Sequence, residues 1–158
     1  MALLAAATLL GGCDEQRAAK LEEGLSTEAD VRRHFGEPVQ ITERADGSKL
    51  LAYPRQPEGW TNYEAEISAD GKLASLRQLL NDANFAKVQP GMAQAEVRRL
   101  LGRHARELAY AMKPGELVWR WHVLRGADKK VFDVRFDAQG RVIDAQLGDD
   151  ERVTLPGG

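Results

Sequence analysis

The sequence predicts an α+β fold made of two tandem repeats, each a helix–helix–antiparallel-sheet unit. Three observations predict it: an internal similarity that keeps its order along the chain, short helices ended by glycine, and alternating apolar and polar runs separated by turn dipeptides. Lys20-Leu21-Glu22-Glu23-Gly24 matches Lys87-Val88-Gln89-Pro90-Gly91, and Val31-Arg32-Arg33-His34-Phe35-Gly36 matches Val97-Arg98-Arg99-Leu100-Leu101-Gly102. Ser48–Tyr53 lines up with Glu116–Trp121, and Ile67–Lys72 with Phe136–Arg141. The offset stays within about 66 to 69 residues, as one duplicated unit with small insertions requires. The repeats occupy 16–80 and 81–147.

Each repeat opens with a short polar helix, Gln16–Glu22 and then Asp82–Val88, closed at Gly24 or Gly91. A second helix follows. In the first copy Thr27 and Asp30 have capping-box spacing, Ala29, Val31 and Phe35 make an apolar stripe, Gly36 ends it and Pro38 prevents resumption. In the second copy Val97, Leu100 and Leu101 form the stripe and Gly102 ends it. Strands are expected at Val39–Glu43, Lys49–Tyr53, Asn62–Ser68 and Lys72–Leu79, then at Arg106–Ala111, Leu117–Leu124, Lys130–Asp137 and Arg141–Leu147. Asp46-Gly47, Asp70-Gly71, Pro114-Gly115 and Gln139-Gly140 supply turns between them, giving a meander of three or four strands in each copy.

Composition narrows the function classes. With 158 residues, 43% hydrophobic and 29% charged, the chain can bury a core. A net charge of −2 removes the bulk electrostatic case for nucleic acid. One cysteine, Cys13, excludes an internal disulfide framework, and three scattered histidines (His34, His104, His122) argue against a zinc site. Charge is split, however: residues 14–84 carry 14 acidic and 9 basic side chains, whereas 85–147 carry 7 and 12. Such asymmetry either steers partners or anionic phospholipid toward the second repeat or is complemented across the junction of the two.

Residues 1–12, MALLAAATLLGG, are too short to span a bilayer and read as the apolar region of an export signal peptide. No Lys or Arg precedes the run, so the translation start is expected upstream. Leu10-Gly11-Gly12-Cys13 resembles a bacterial lipobox, which implies cleavage before Cys13 and lipidation of that residue. Two or three acyl chains at ~0.8 kcal/mol per buried CH₂ hold a protein stably at a membrane. Residues 13–19 are then the lipidated cysteine and its tether, and 148–158 a polar tail. The outer membrane is the expected residence, with the inner membrane open because Asp14 follows the cysteine.

The stretches Gly24–Pro38 and Gly91–Gly102 resemble the SmpA/OmlA, or BamE-like, domain: glycine, a helix carrying Val-Arg, and a closing glycine before a small sheet. The tandem arrangement is also similar to the β-lactamase inhibitor protein fold. The first resemblance implies a non-enzymatic, periplasm-facing lipoprotein that assists assembly of outer membrane β-barrel proteins through protein contacts, without a cofactor. The second implies an alternative, a binder or inhibitor of a periplasmic or cell-wall hydrolase.

No nucleophile elbow or phosphate loop is present in the sequence, so catalytic residues are expected to be none. Contact residues are better candidates. Trp119 and Trp121 share one strand face with Leu117 and Val123, a face that either packs under the helices or meets a partner. Trp60 and Tyr63 follow the Pro-rich stretch Tyr53–Gly59, and loops rarely supply core, so they read as contact residues. His34 falls at the margin of its helix's apolar face, and His122 on the strand face opposite Trp121, wet or in an interface.

Overall fold

The structure, a computed structural model, describes residues 13–109 and 113–150. Residues 1–12, with Leu10, Gly11 and Gly12 of the lipobox, and the side chain of Cys13 lie outside the described residues.

The first repeat runs α1 (Cys13–Ala18), α2 (Glu28–Phe35), β1 (Gln40–Glu43), β2 (Lys49–Pro54), β3 (Asn62–Ile67) and β4 (Leu73–Gln78). The second runs α3 (Asp82–Phe85), α4 (Gln94–Leu101), β5 (Arg106–Ala109), β6 (Leu117–Arg125), β7 (Asp128–Phe136) and β8 (Val142–Asp149). Each set of strands forms a four-stranded antiparallel meander in sequence order. This is the α+β, two-repeat architecture expected, with four strands in each sheet.

The helices start where side-chain chemistry allows. Thr27 Oγ1 accepts from the Asp30 N–H at 3.2 Å, and the Asp30 carboxylate accepts from the Thr27 N–H at 2.9 Å, a closed capping box at α2. These bonds to the Thr27 backbone and hydroxyl hold the exposed Asp30 carboxyl below its usual range. At α4 only half the box survives: Glu96 reaches back to the Ala93 N–H (2.8 Å), but alanine has no acceptor to return. The leading helices are shorter than expected. α3 stops at Phe85, and α1 begins at Cys13 and ends at Ala18 rather than spanning Gln16–Glu22.

A shared device closes one edge of each sheet. The Gly24 N–H donates to Leu73 O and the Leu73 N–H to Ser26 O; in the second copy Gly91 donates to Val142 O and Val142 to Met92 O. The loop before the longer helix thus acts as a short fifth strand, with isolated bridges at Thr27–Lys72 and Ala93–Arg141. The opposite edges, β1 and β5, stay at the rim.

Each repeat has its own core between helices and sheet. Val31 and Phe35 of α2 pack on Leu51, Tyr53, Tyr63 and Ile67, with Ala18 and Leu21 at the border. Val97 and Leu101 of α4 pack on Trp119, Trp121, Val134 and Phe136, joined by Leu80 and Phe85. Burial of the apolar alternation on both sides is what stabilises so many short elements.

Two boundary readings need correction. Residues 13–19 are not a free tether: Asp14 is only 5% exposed, and its carboxylate accepts from Arg55 Nε at 2.7 Å and from Arg17 Nη1 at 3.1 Å. A charge held by two guanidinium groups folds α1 onto the domain. The polar tail, read as 148–158, starts inside β8, where Gly148 and Asp149 still pair with Val131 and Lys130.

Candidate functional site

The segment 55–61 connects β2 to β3, and its polar side chains, with that of Asn62 at the start of β3, reach in three directions. Arg55 Nη2 donates to Phe35 O at 3.2 Å, capping the carbonyl end of α2 with a positive charge. Gln56 meets β6 of the other repeat: its Nε2 donates to His122 O (2.9 Å) and its Oε1 accepts from the His122 N–H (3.0 Å), a two-bond amide pair in a buried setting. His122 Nδ1 lies 2.8 Å from Pro57 O; a carbonyl can only accept, so Nδ1 carries the proton. Trp60 rests against the His122 ring (centroids 5.2 Å apart), and Lys129 Nζ lies over the Trp60 ring at 5.4 Å. Gly59 lets the loop fold this tightly, because a Cβ there would stand 2.5 Å from Arg55 Cβ.

Asn62 completes the clasp. It is 1% exposed, and its Nδ2 donates to Leu101 O at 2.7 Å and to Arg103 O at 2.9 Å. A helix leaves its last carbonyls without partners in its own turn. At α4 these are taken one by one: Leu100 O by Asn84 (3.3 Å), Leu101 O by Asn62, Gly102 O by Trp121 Nε1 (3.3 Å). Gly102 has φ of 72°, in the left-handed region, and a Cβ there would press on Asn62 Nδ2 at 3.0 Å, so glycine serves both backbone and contact.

Three of the four aromatic candidates, Tyr63, Trp119 and Trp121, are buried, and Trp60 is half-buried. Tyr63 packs on Phe35 with ring centroids 5.2 Å apart. Trp121 is fully buried, and Trp119 sits between Phe136 and His104 with its Nε1 donating to Glu107. Trp60 belongs to the clasp. Reading Tyr63 as a partner-contact residue is thus corrected, since its ring is buried on Phe35; half-buried Trp60 has its ring against His122 of the other repeat. Trp119 and Trp121 take the core alternative. His122 is in an interface, the one between repeats.

Joining the repeats this way creates a cleft of about 640 Å³. Its floor is the outer face of the first sheet, including Leu50, Ala52, Pro54 and Glu64; its wall is α4 and the turn after it, with Arg98, Arg99 and Arg103. Sequence reasoning missed this cleft, although the basic run was visible. The ion pairs, from Arg32–Glu28 and Arg44–Glu66 to Arg120–Asp133, join residues of the same repeat. The junction instead uses amides, an imidazole and one cation–π contact, so α4 keeps its charge. Arg99 and Arg103 are exposed and have no side-chain partner among the described residues.

Two titratable groups flank the cleft. Burial, reinforced by the neighbouring Arg98, pushes His104 below the usual 6.5. Arg98 Nη2 also donates to His104 Nδ1 at 3.1 Å, which suits the neutral ring. Burial pushes the Glu64 carboxyl up from 4.5, with Arg44 and Arg77 opposing. A folded-state pKa raised above the unfolded one stabilises the fold fully below about pH 4.5, and this contribution is lost as pH rises through the raised value. Glu64→Gln is therefore expected to raise the melting temperature at pH 7 and to leave it unchanged at pH 4. A gain of equal size at both pH values would refute the assignment.

Among the described residues no cluster of three His, Cys, Asp or Glu side chains could hold a metal ion. No helix there is long and apolar enough to cross a membrane. No family model matches the sequence, and no curated protein matches it significantly. Among solved structures the chain is similar to a DUF4309 family protein, YjgB, of Bacillus subtilis, with 18% identity over 85% of this chain and 86% of that one and a TM-score of 0.34. It is also similar to an extracellular protein containing a SCP domain from Bacillus anthracis, with 12% identity, 86% of this chain covered and a TM-score of 0.32. It spans 46% of that second protein's length.

Proposed function

We propose that this chain is a non-enzymatic lipoprotein of the cell envelope, held at the periplasmic face by lipid on Cys13, and a BamE-like accessory factor in outer membrane β-barrel protein assembly. The observation that carries the reading is the cleft between two repeats locked into one scaffold: an apolar sheet floor under a basic helix, where Arg99 and Arg103 have no ion-pair partner among the described residues. Such a surface, apolar at the centre and charged at the rim, suits protein contact. The resemblance of Gly24–Pro38 and Gly91–Gly102 to the BamE-like domain supplies the process. Outer membrane residence is supported by Asp14, whose carboxylate is occupied by Arg55 and Arg17 instead of being displayed beside the cysteine. The hydrolase-binding alternative rested on a sheet face offering Trp and Tyr; Tyr63, Trp119 and Trp121 are buried, so the cleft favours the first reading.

The test is affinity purification of the tagged full-length protein from gently solubilised envelopes, with partners identified by mass spectrometry. Recovery of barrel-assembly components in near-stoichiometric amounts is expected; recovery of a hydrolase, or of nothing, overturns the assembly role. Cys13→Ser is expected to move the protein from the membrane pellet to the soluble fraction, and continued sedimentation would remove the lipid anchor.

A further inference from the structure

The cleft has an open side, and β1 forms it. Gln40 and Thr42 line the cleft, while Val39 at its mouth is 66% exposed and Ile41, on the alternate face, is 43% exposed. Arg44 N–H bonds Ser48 O, and Thr42 pairs with Leu50 and Gln40 with Ala52 in the same phase of the ladder. Antiparallel pairing alternates, so the amides of Ile41 and Glu43 point outward. Among the described residues no backbone hydrogen bond reaches that outer edge, whereas the outer edge of β4 is closed by the Gly24–Thr27 segment. An open edge is a template for another extended chain.

Edge and charge together specify the occupant. A strand added to β1 places alternate side chains on two faces. One set continues the sheet's cleft face, opposite the α4 wall; the other continues the face of Ile41. We propose that the cleft binds an extended segment of a partner protein in which acidic and apolar residues alternate, its backbone paired to β1, its carboxylates against Arg98, Arg99 and Arg103, and its apolar side chains beside Ile41. Charge complementarity selects the acidic set: three arginines face a single carboxylate, Glu64, whose own ionisation is disfavoured by burial. The alternating donors and acceptors of the backbone edge match another extended backbone better than an acceptor-only phosphate head group, which favours a peptide over a bilayer. The inference rests on the reading of the cleft as the partner-binding surface and adds the class of partner.

The experiment measures fluorescence anisotropy of a labelled peptide of about ten alternating Val and Glu residues, a strand-length ligand, added to the full chain in non-ionic detergent. Saturable binding that weakens with salt is expected, with loss of about tenfold or more in Arg99→Glu/Arg103→Glu. Both side chains are exposed and unpartnered, so this variant should keep the wild-type melt. Ile41→Pro removes one outward amide without touching the pairing to β2 and is expected to weaken binding severalfold, whereas Glu64→Gln should tighten it. Equal binding of a Val–Lys peptide, indifference to Ile41→Pro, or binding of phosphatidylglycerol vesicles in place of the peptide overturns the proposal. Failure here with barrel-assembly components still co-purifying sinks only the partner class; peptide binding without those components sinks the assembly role and leaves the cleft.

Discussion

Asn62→Asp is expected to destabilise the protein by about 3–5 kcal/mol at neutral pH, although the replacement is nearly isosteric. Asn62 is buried and gives both amide protons to carbonyls at the end of α4, Leu101 O and Arg103 O. A carboxylate has no proton to give, faces two oxygens, and stands at the negative end of a helix dipole. Asn62→Ala leaves the carbonyls unpaired without adding charge, and about 1–3 kcal/mol is expected. Two signatures separate this account from simple loss of packing. The isosteric change must be worse than the truncation, and its penalty must shrink as the pH falls to about 4, because the buried carboxyl takes up its proton above the pH at which the unfolded chain does and can then donate once. Denaturant melts of both variants at pH 7 and pH 4 check it; an alanine variant less stable than the aspartate at pH 7 would show that shape, not donation, is what Asn62 supplies.

The second large effect is at the amino end. Asp14→Ala removes the acceptor shared by Arg55, Arg17 and Thr61 and is expected to cost about 2 kcal/mol, less than a fully buried pair because Arg55 keeps some access to water. Its local consequence is larger than its global one. With Asp14 gone, the hold on α1 rests on the packing of Ala18, and of Leu21 just beyond it, at the border of the first core. Trypsin should then cut after Arg17 or Lys20 under conditions where the wild-type chain resists. Hydrogen exchange at the Ala19 N–H, which donates to Glu15 O, should accelerate in parallel. Unchanged proteolysis would mean that α1 is held by something other than its carboxylate.

The sheets were legible because alternation and turn dipeptides are local signals: all eight strands lie where the pattern puts them, and the copies repeat even the edge closure by the Gly24 and Gly91 loops. The longer helices were legible from capping spacing and closing glycines. The joint was not. Gln56 looks like an ordinary polar loop residue and Asn62 like the first residue of a strand, and what they bond, His122 and the carbonyls after Leu100, lies 39 to 66 residues further along the chain. A signal did exist in the basic run Arg98–Arg103, whose one close acidic neighbour, Glu96, is turned back to cap the helix start, but where the run faces depends on how one repeat is hung from the other. Trp60 was hard to place for the same reason: its ring meets His122, a residue of the other repeat.

The docking of Asp14 has a consequence for motion. With lipid on Cys13, a single peptide unit of about 3.8 Å separates the greasy attachment point from a residue fixed by three polar partners. A leash that short would limit swing. If Cys13 carries lipid, the domain would ride close to the bilayer within a narrow range of heights, and the cleft between the repeats would sample a layer along the membrane surface rather than the full depth of the periplasm.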